Sequence, residues 1–581
     1  MPGFLITNMN KEFAIESNNG SLNFSIMHYN NWTMQRLSTS KFCNDKLFMQ
    51  DDECILITEG VVVEKRDIIS EKDCESLAEA LKKTHKTDGS IALLSSQGWS
   101  GAYYDKSLDE WEIFTNPYGD HPVFYYCDIK KKKYAFSSEI MYIKRLLDIC
   151  MVKSHICDES VYDLLTFGYN VSGNGDNTLI LEIKRLLPGY RLRVCRDGLT
   201  EEKYFDYNVF YQRDKLNDEE EWVDRIDTAF RKAVERIFNK SEEYGYSHLC
   251  ALSGGLDSRM SLWVAKDMGY RGILSETFCQ SMTDDQRIAE KITSDIGVPW
   301  VFKSLDSAEF LSDISTCVNS TYGLIDVSGT IHEESIMKIL DLRNYGVLCT
   351  GQLGDAILGG SLCHEVDIKY KAYSHLLFDR YSPKIIDSGE ESEIFYLRTR
   401  GFNSALCAQF SQLNYIEPLS PFLDKDVLRV CLSMPINIRR NHNIYFKWIR
   451  DKYPRAASYV WENTGARIGA SSAEKFLIKC RKVGFGNIYK YALKKSGLNK
   501  NIKIKASKEN MNPYDWWYDN RIEARESILN QFQMERDILD NIFPQEIEMK
   551  RDINYLFENG GCREKVQALS VMYGISSFFV N

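Results

Sequence analysis

The chain has no C-x-x-C pair: its 16 cysteines are scattered from Cys43 to Cys562, which excludes the short-spaced zinc and redox motifs. In a chain this long the scatter reads as free thiols of a reducing compartment, not as a secreted disulfide scaffold. Gly-Lys is also missing, and with it the common triphosphate loop, which needs Gly-Lys-Ser/Thr. No apolar run reaches the roughly 18 residues of a membrane span, and Met1-Pro2-Gly3-Phe4 shows no basic segment or cleavage site of a secretory leader. A cytoplasmic protein without a membrane span is therefore expected. Proline is scarce, 12 against 35 glycines, and internal repeats are absent, so neither a disordered nor a collagen-like chain fits.

What is present is an ordinary globular composition. The 581 residues are 44% hydrophobic and 27% charged, enough for two to four domains with sizeable cores. Acidic residues outnumber basic ones, 82 to 72, for a net charge of -10, which argues against a generic nucleic-acid binder. One stretch goes the other way. Between Lys475 and Lys508 every charge is positive, and Phe476, Leu477, Phe485, Ile488, Tyr489, Tyr491 and Leu493 are interleaved with Lys490, Lys494 and Lys495. The pattern predicts an amphipathic helix whose basic face would receive an anionic partner.

Residues 1–209 carry short β-type runs broken by Gly, Asn and Asp, at 54–57, 60–63, 111–114, 123–126 and 134–136. Residues 208–222 are polar and end in Asp218-Glu219-Glu220-Glu221, the composition of a linker. From 222 on, the periods alternate: helix over 222–238, strand over 248–252, helix over 258–268, strand over 272–279, helix over 284–296, strand over 298–303. Such alternation predicts a parallel α/β sheet. Past about residue 365 helical patterns dominate. The fold class expected is a multidomain α/β protein divided at 209/210.

Ser253-Gly254-Gly255-Leu256-Asp257-Ser258 falls between a predicted strand and a predicted helix. Two glycines let the backbone approach an anion, the helix start offers unpaired N–H groups, and hydroxyls add donors. Asp257 is a candidate Mg2+ ligand beside a phosphate. Leu252 to Ser258 as a whole resembles the pyrophosphate loop of the asparagine synthetase family. Thr350-Gly351-Gln352-Leu353-Gly354-Asp355 resembles that family's second glycine-rich loop, and Pro421-Phe422-Leu423-Asp424 and residues 564–579 resemble later segments. In the first part Arg36-Leu37-Ser38, Asn116-Pro117-Tyr118-Gly119, Phe136-Ser137-Ser138-Glu139 and Leu187-Pro188-Gly189 follow the family order.

The resemblance implies an N-terminal αββα domain of the Ntn-hydrolase, class II glutaminase type. It implies next an adenine-nucleotide α-hydrolase-like (PP-loop) domain with a helical C-terminal part, binding ATP and Mg2+. Ser253, Gly254, Gly255, Asp257, Ser258, Thr350 and Gly351 would hold the nucleotide, and Asp257 and Asp355 the metal.

The departures are as informative. Family glutaminases use a cysteine at position 2 as nucleophile, and Pro2 stands here. Asn116 takes the place of a glutamine-holding Asp, and Glu59-Gly60 that of an Asn-Gly pair, so a dead glutaminase is expected. In the second loop Gln352 stands where asparagine synthetases proper have Glu, a place at which variant members such as β-lactam synthetases and lasso-peptide cyclases also differ. Arg467 stands near the place of the family's late catalytic Lys.

The expected activity is an AMP-forming amide synthetase that joins a small-molecule or peptide carboxylate to an amine without hydrolysing glutamine, with Asp355, Arg467 and Gln352 at the chemistry. Asparagine formation from aspartate with ammonia or glutamine, and a non-catalytic nucleotide-binding scaffold, are the alternatives. RNA sulfur transfer is disfavoured because the paired cysteines it needs are missing.

Overall fold

The structure is a computed structural model that describes residues 2–11, 22–362, 376–384, 390–471, 473–474, 478, 508–543 and 547–580. It is a mixed α/β protein with several sheets and many helices. Of the basic stretch, residues 475–477 and 479–507 lie outside the described residues.

The first 209 residues build two six-stranded antiparallel sheets. One runs in the order Lys184–Arg185, Phe124–Asp128, Lys133–Ser137, Gly3–Thr7, Trp32–Ser38, Asn23–Tyr29; the other runs Gly198–Lys203, Tyr190–Cys195, Glu110–Phe114, Trp99–Asp105, Cys54–Gly60, Phe48–Gln50. Strand side chains alternate between faces. Phe4, Ile6, Met34 and Phe136 therefore meet Ile55, Ile57, Ala102 and Ile113 between the sheets. On the far side of the first sheet Leu5, Phe124 and Ala135 pack on Ile143, Leu147 and Leu164 of helices Ile140–Ile149 and Asp158–Phe167. On the far side of the second, Leu56, Tyr103 and Phe114 pack on Ile68, Leu77 and Leu81 of Lys65–Glu71 and Leu77–Asp88. Because helices cover both sheets, central strands such as Gly3–Thr7 are buried at every position and show no polar alternation in the sequence.

The acidic run 218–221 is a helix start. Asp218 caps helix Glu219–Glu243, its side chain accepting from the Glu220 and Glu221 N–H groups. Acidic residues are favourable there because the first turn carries unpaired N–H groups and the positive end of the helix dipole. The linker read over 208–222 thus ends at residue 218. The helix buries Trp222, Ile226, Phe230, Val234 and Ile237 and leads into a five-stranded parallel sheet. Its order is Trp300–Ser304, Ile273–Cys279, Ser247–Ala251, Tyr345–Cys349, Glu417–Leu419. Chain order reverses direction at the central strand Ser247–Ala251. The crevice beyond the carboxyl ends of Ser247–Ala251 and Tyr345–Cys349 is where open α/β sheets bind ligands.

After the sheet the described residues are mainly helical, including a nine-residue π-helical stretch Leu397–Ala405. Cys562–Phe579 is buried along its length against Asp158–Phe167, Ile314–Ser320 and Ile522–Ile542. One apolar core accordingly runs from Leu5 through Leu164 and Cys317 to Val566, Met572 and Ile575.

Candidate active site

The loops after the two central strands are pressed back to back. A Cβ on Gly351 would lie 2.2 Å from the Ser258 nitrogen and 2.4 Å from the Asp257 carbonyl carbon, and one on Gly354 would lie 2.6 Å from Asp257 Cγ. Glycine at both positions is what lets the loops touch. The contact brings the acids together: Asp257 Oδ2 accepts the Asp355 N–H at 2.9 Å, and Asp257 Oδ1 accepts the Tyr445 hydroxyl at 2.8 Å. The Asp355 carboxylate is half exposed and pairs with His442 Nε2, whose ring stacks on Phe446. Burial pushes the Asp257 carboxyl up to about 7, the Tyr445 hydrogen bond opposing this and the Asp355 charge adding to it.

The first loop is built from its own hydroxyls. Ser253 N–H donates to Ser258 Oγ at 3.0 Å, and Gly255 N–H to Ser253 Oγ at 3.1 Å. Gly254 N–H is taken by Asp285 Oδ1 at 3.0 Å. The buried Arg259 guanidinium donates to the Gly254 carbonyl at 2.9 Å and the Val460 carbonyl at 2.7 Å, tying the loop to the following hairpin. In the second loop Thr350 N–H donates to the Leu419 carbonyl at 2.8 Å, while Gln352 Nε2 donates to the Ala405 carbonyl at 3.0 Å.

These residues line one cleft of about 420 Å3. Its walls contain Ser253, Gly255, Asp257, Ser258, Thr350, Gly351 and Gln352, so the sequence-predicted nucleotide residues converge, Gly254 lying just behind them. Asp355 stands beside Asp257. Arg467 does not join them: it is exposed, pairs with Val460 across the hairpin Val460–Trp461/Ala466–Arg467, and lines a separate depression with Arg455, Lys291 and Asp284. Strand alternation decides this, since Arg467 shares the face of Val460 while the chain turns Glu462 toward the cleft.

Residues that the sequence reading passed over complete the cleft: Glu276, His332, Glu333, Gln409, Gln412 and Glu462. Burial pushes Glu276 and Glu333 each up to about 8, and Glu462 up to about 7. His332 is driven down to about 3 by burial and by Arg563. Glu276 did carry a signal, a lone acid inside the otherwise apolar and small strand Ile273–Cys279. His442 and Tyr445 carried none.

Magnesium takes one or two carboxylates and completes its shell with phosphate oxygens and water. Asp257 and Asp355 suit it as such a pair; among the described residues no cluster of three or more His, Cys, Asp or Glu forms a self-sufficient metal cage.

The N-terminal half has a second, smaller cavity of about 90 Å3 at its contact with the rest of the chain, lined by Pro2, Lys46, Glu59, His121, Glu139 and Glu417. Its charged groups already have partners. Glu59 pairs with Arg36 at 3.3 Å and Lys46 at 3.7 Å, and His121 with Glu417 at 3.0 Å. Asn116 does not line it: the fully buried amide accepts from Tyr118 and Gly119 N–H at 2.9 Å each and donates to the Trp99 carbonyl at 3.0 Å.

No family model matches the chain, and no curated protein does. Among solved structures, one entitled "Structure of the allosteric regulatory enzyme of purine biosynthesis" aligns with 52% of this chain and 74% of its own, at 10% identity and a TM-score of 0.22. That likeness is too slight to carry an argument. Among the described residues no helix is long and apolar enough to cross a membrane.

Proposed function

We propose that the chain is an ATP-dependent, AMP-forming amide synthetase. The observation that carries this reading is the convergence of Asp257 and Asp355 where two glycine-rich loops meet at the switch point of the parallel sheet. On it, residues 210–581 are a PP-loop synthetase domain, and residues 1–209 an Ntn-hydrolase-like αββα domain of the glutaminase type without glutaminase activity.

The reaction assigned to the cleft has two steps. A substrate carboxylate attacks the α-phosphorus of ATP, the bond to the bridging oxygen breaks, and pyrophosphate leaves. An amine then attacks the activated carbonyl carbon and AMP departs with the bonding pair, the amine losing a proton. A magnesium ion on Asp257 and Asp355, when bound, offsets charge on the pyrophosphate. Within the chain, the Ser253 and Ser258 hydroxyls and the Gly255 N–H, which here bond within the loop, would turn to that pyrophosphate. Asp355 and Tyr445 fix the rotamer of Asp257 through both its oxygens. Among the described residues no Lys or Arg lines the cleft, so charge compensation rests on metal and backbone.

The test is ATP–pyrophosphate exchange over a panel of carboxylic acids, with product analysis. AMP and pyrophosphate are expected; ADP and phosphate would sink the reading.

A further inference from the structure

Glu276 is 1% exposed, on the strand Ile273–Cys279, which the parallel sheet holds between the strands Ser247–Ala251 and Trp300–Ser304. Its Oε2 has no hydrogen-bond partner among the described residues, and it opens onto the cleft. Taking a lone carboxyl out of water costs several kcal/mol unless a counter-group replaces the lost hydration. Its neighbours do not supply one. Glu333 is a second carboxyl, and its Oε2 is taken by Gln412 Nε2. That bond orients the Gln412 amide, whose Oε1 is buried and unpartnered among the described residues. His332, which burial keeps neutral, adds no positive charge. This end of the cleft therefore presents carboxyl and amide oxygens without counter-groups, and among the described residues no side chain lining it is a cation that would hold the two acids ionised. An ammonium offers three donors and no acceptor, and a guanidinium five and none, which is the complement of that wall.

We propose that Glu276, with Glu333 and Gln412 beside it, binds a cationic nitrogen of the substrate, an ammonium or guanidinium group at the sheet end of the cleft. The proposal rests on reading the cleft as a synthetase site and narrows its substrates to molecules carrying such a group besides the reacting one. A bound cation would favour the ionised carboxyls and satisfy the unpartnered oxygens together, whereas the neutral amide of a sugar or peptide would supply no such charge.

Calorimetry on the full chain tests it, with L-ornithine and L-arginine as cationic probes and L-norvaline and L-citrulline as neutral counterparts, each with Mg2+ and α,β-methylene-ATP. The cationic probes are expected to bind at least about tenfold more tightly, a preference that Glu276→Gln and Glu333→Gln each cut to roughly twofold. Because Gln keeps the shape and removes a buried unpaired acid, Glu276→Gln should melt no lower than the parent. A preference that survives Glu276→Gln, or equal binding of all four probes to the parent, overturns the proposal. So does a Glu276→Gln variant that loses the nucleotide analogue instead, since the carboxyl would then serve the adenine amino group. Retained cation preference with no pyrophosphate release would leave this subsite standing and refute the synthetase reading alone.

Discussion

Asp257 and Asp355 differ in what their neighbours allow. Asp257 is clamped by Tyr445 and the Asp355 N–H, whereas Asp355 is half exposed and held by His442. Asp257→Asn and Asp355→Asn preserve these shapes and remove the charge, so exchange should fall by about a hundredfold or more, the scale of a lost transition-state charge partner. Circular dichroism should be unchanged, and variants as fast as the parent would remove both residues from the chemistry. Glu276 gives a pH prediction. Its carboxyl is raised to about 8 from an ordinary 4.5, so the folded state holds a proton that the unfolded state has released. Its contribution is complete below about pH 4.5 and is lost as pH rises through about 8. Glu276→Gln should therefore gain on the order of 2 kcal/mol over the parent in urea denaturation at pH 9 and almost nothing at pH 4.5. At this scale the loop residues that converge on the cleft were legible, because Ser, Gly and Asp between a strand and a helix have a specific chemistry. The cleft's inner wall was not, because Glu276, Glu333 and Gln412 come from segments whose proximity only the folded sheet creates.

The elements of the second half follow their periods closely. Helix Asp284–Ile296 begins and ends where the spacing puts it, and strand Ile273–Cys279 starts one residue into its expected run. The first half was harder to read. Of its strands, Gly3–Thr7, Trp32–Ser38 and Trp99–Asp105 escaped the sequence reading, since covered sheets erase the alternation that marks a strand. Two elements also decide whether the cleft exists. Gly351→Ala would drive a methyl into the Ser258 amide, so the loops must part. The expected result is a stability loss of about 1–3 kcal/mol together with loss of binding of α,β-methylene-ATP, read by thermal melts with and without it. Arg259 acts by tying: its side chain is fully buried and reaches carbonyls of Gly254 and Val460. Arg259→Met should cost about 3 kcal/mol and loosen the loop, raising KM for ATP more than it lowers kcat.

Across the whole molecule the two halves are joined by buried polar contacts. Gln97 and Ser420 exchange hydrogen bonds at 3.0 Å in both directions. Asp45, fully buried, accepts from Lys240 at 2.8 Å and from Tyr244 at 2.7 Å. Asp45→Ala leaves the buried Lys240 with less compensation and should destabilise by about 3 kcal/mol, with unfolding of both halves in one transition. Separate transitions would mean that the interface is loose. The same joint bears on the glutaminase question. The chain should release no glutamate from glutamine, and Pro2→Cys should not restore activity, because Glu59 is engaged by Arg36 and Lys46 and the Asn116 amide is spent on its own turn. Glutamate above a heat-killed control would refute this.

The helix Cys562–Phe579 shares a core with the strand Gly3–Thr7. The joint is a long-range one along the chain. A protein lacking residues 562–579 would keep every residue of the cleft and still leave Leu164 and Leu179 uncovered, the kind of greasy surface that chaperones and proteases recognise.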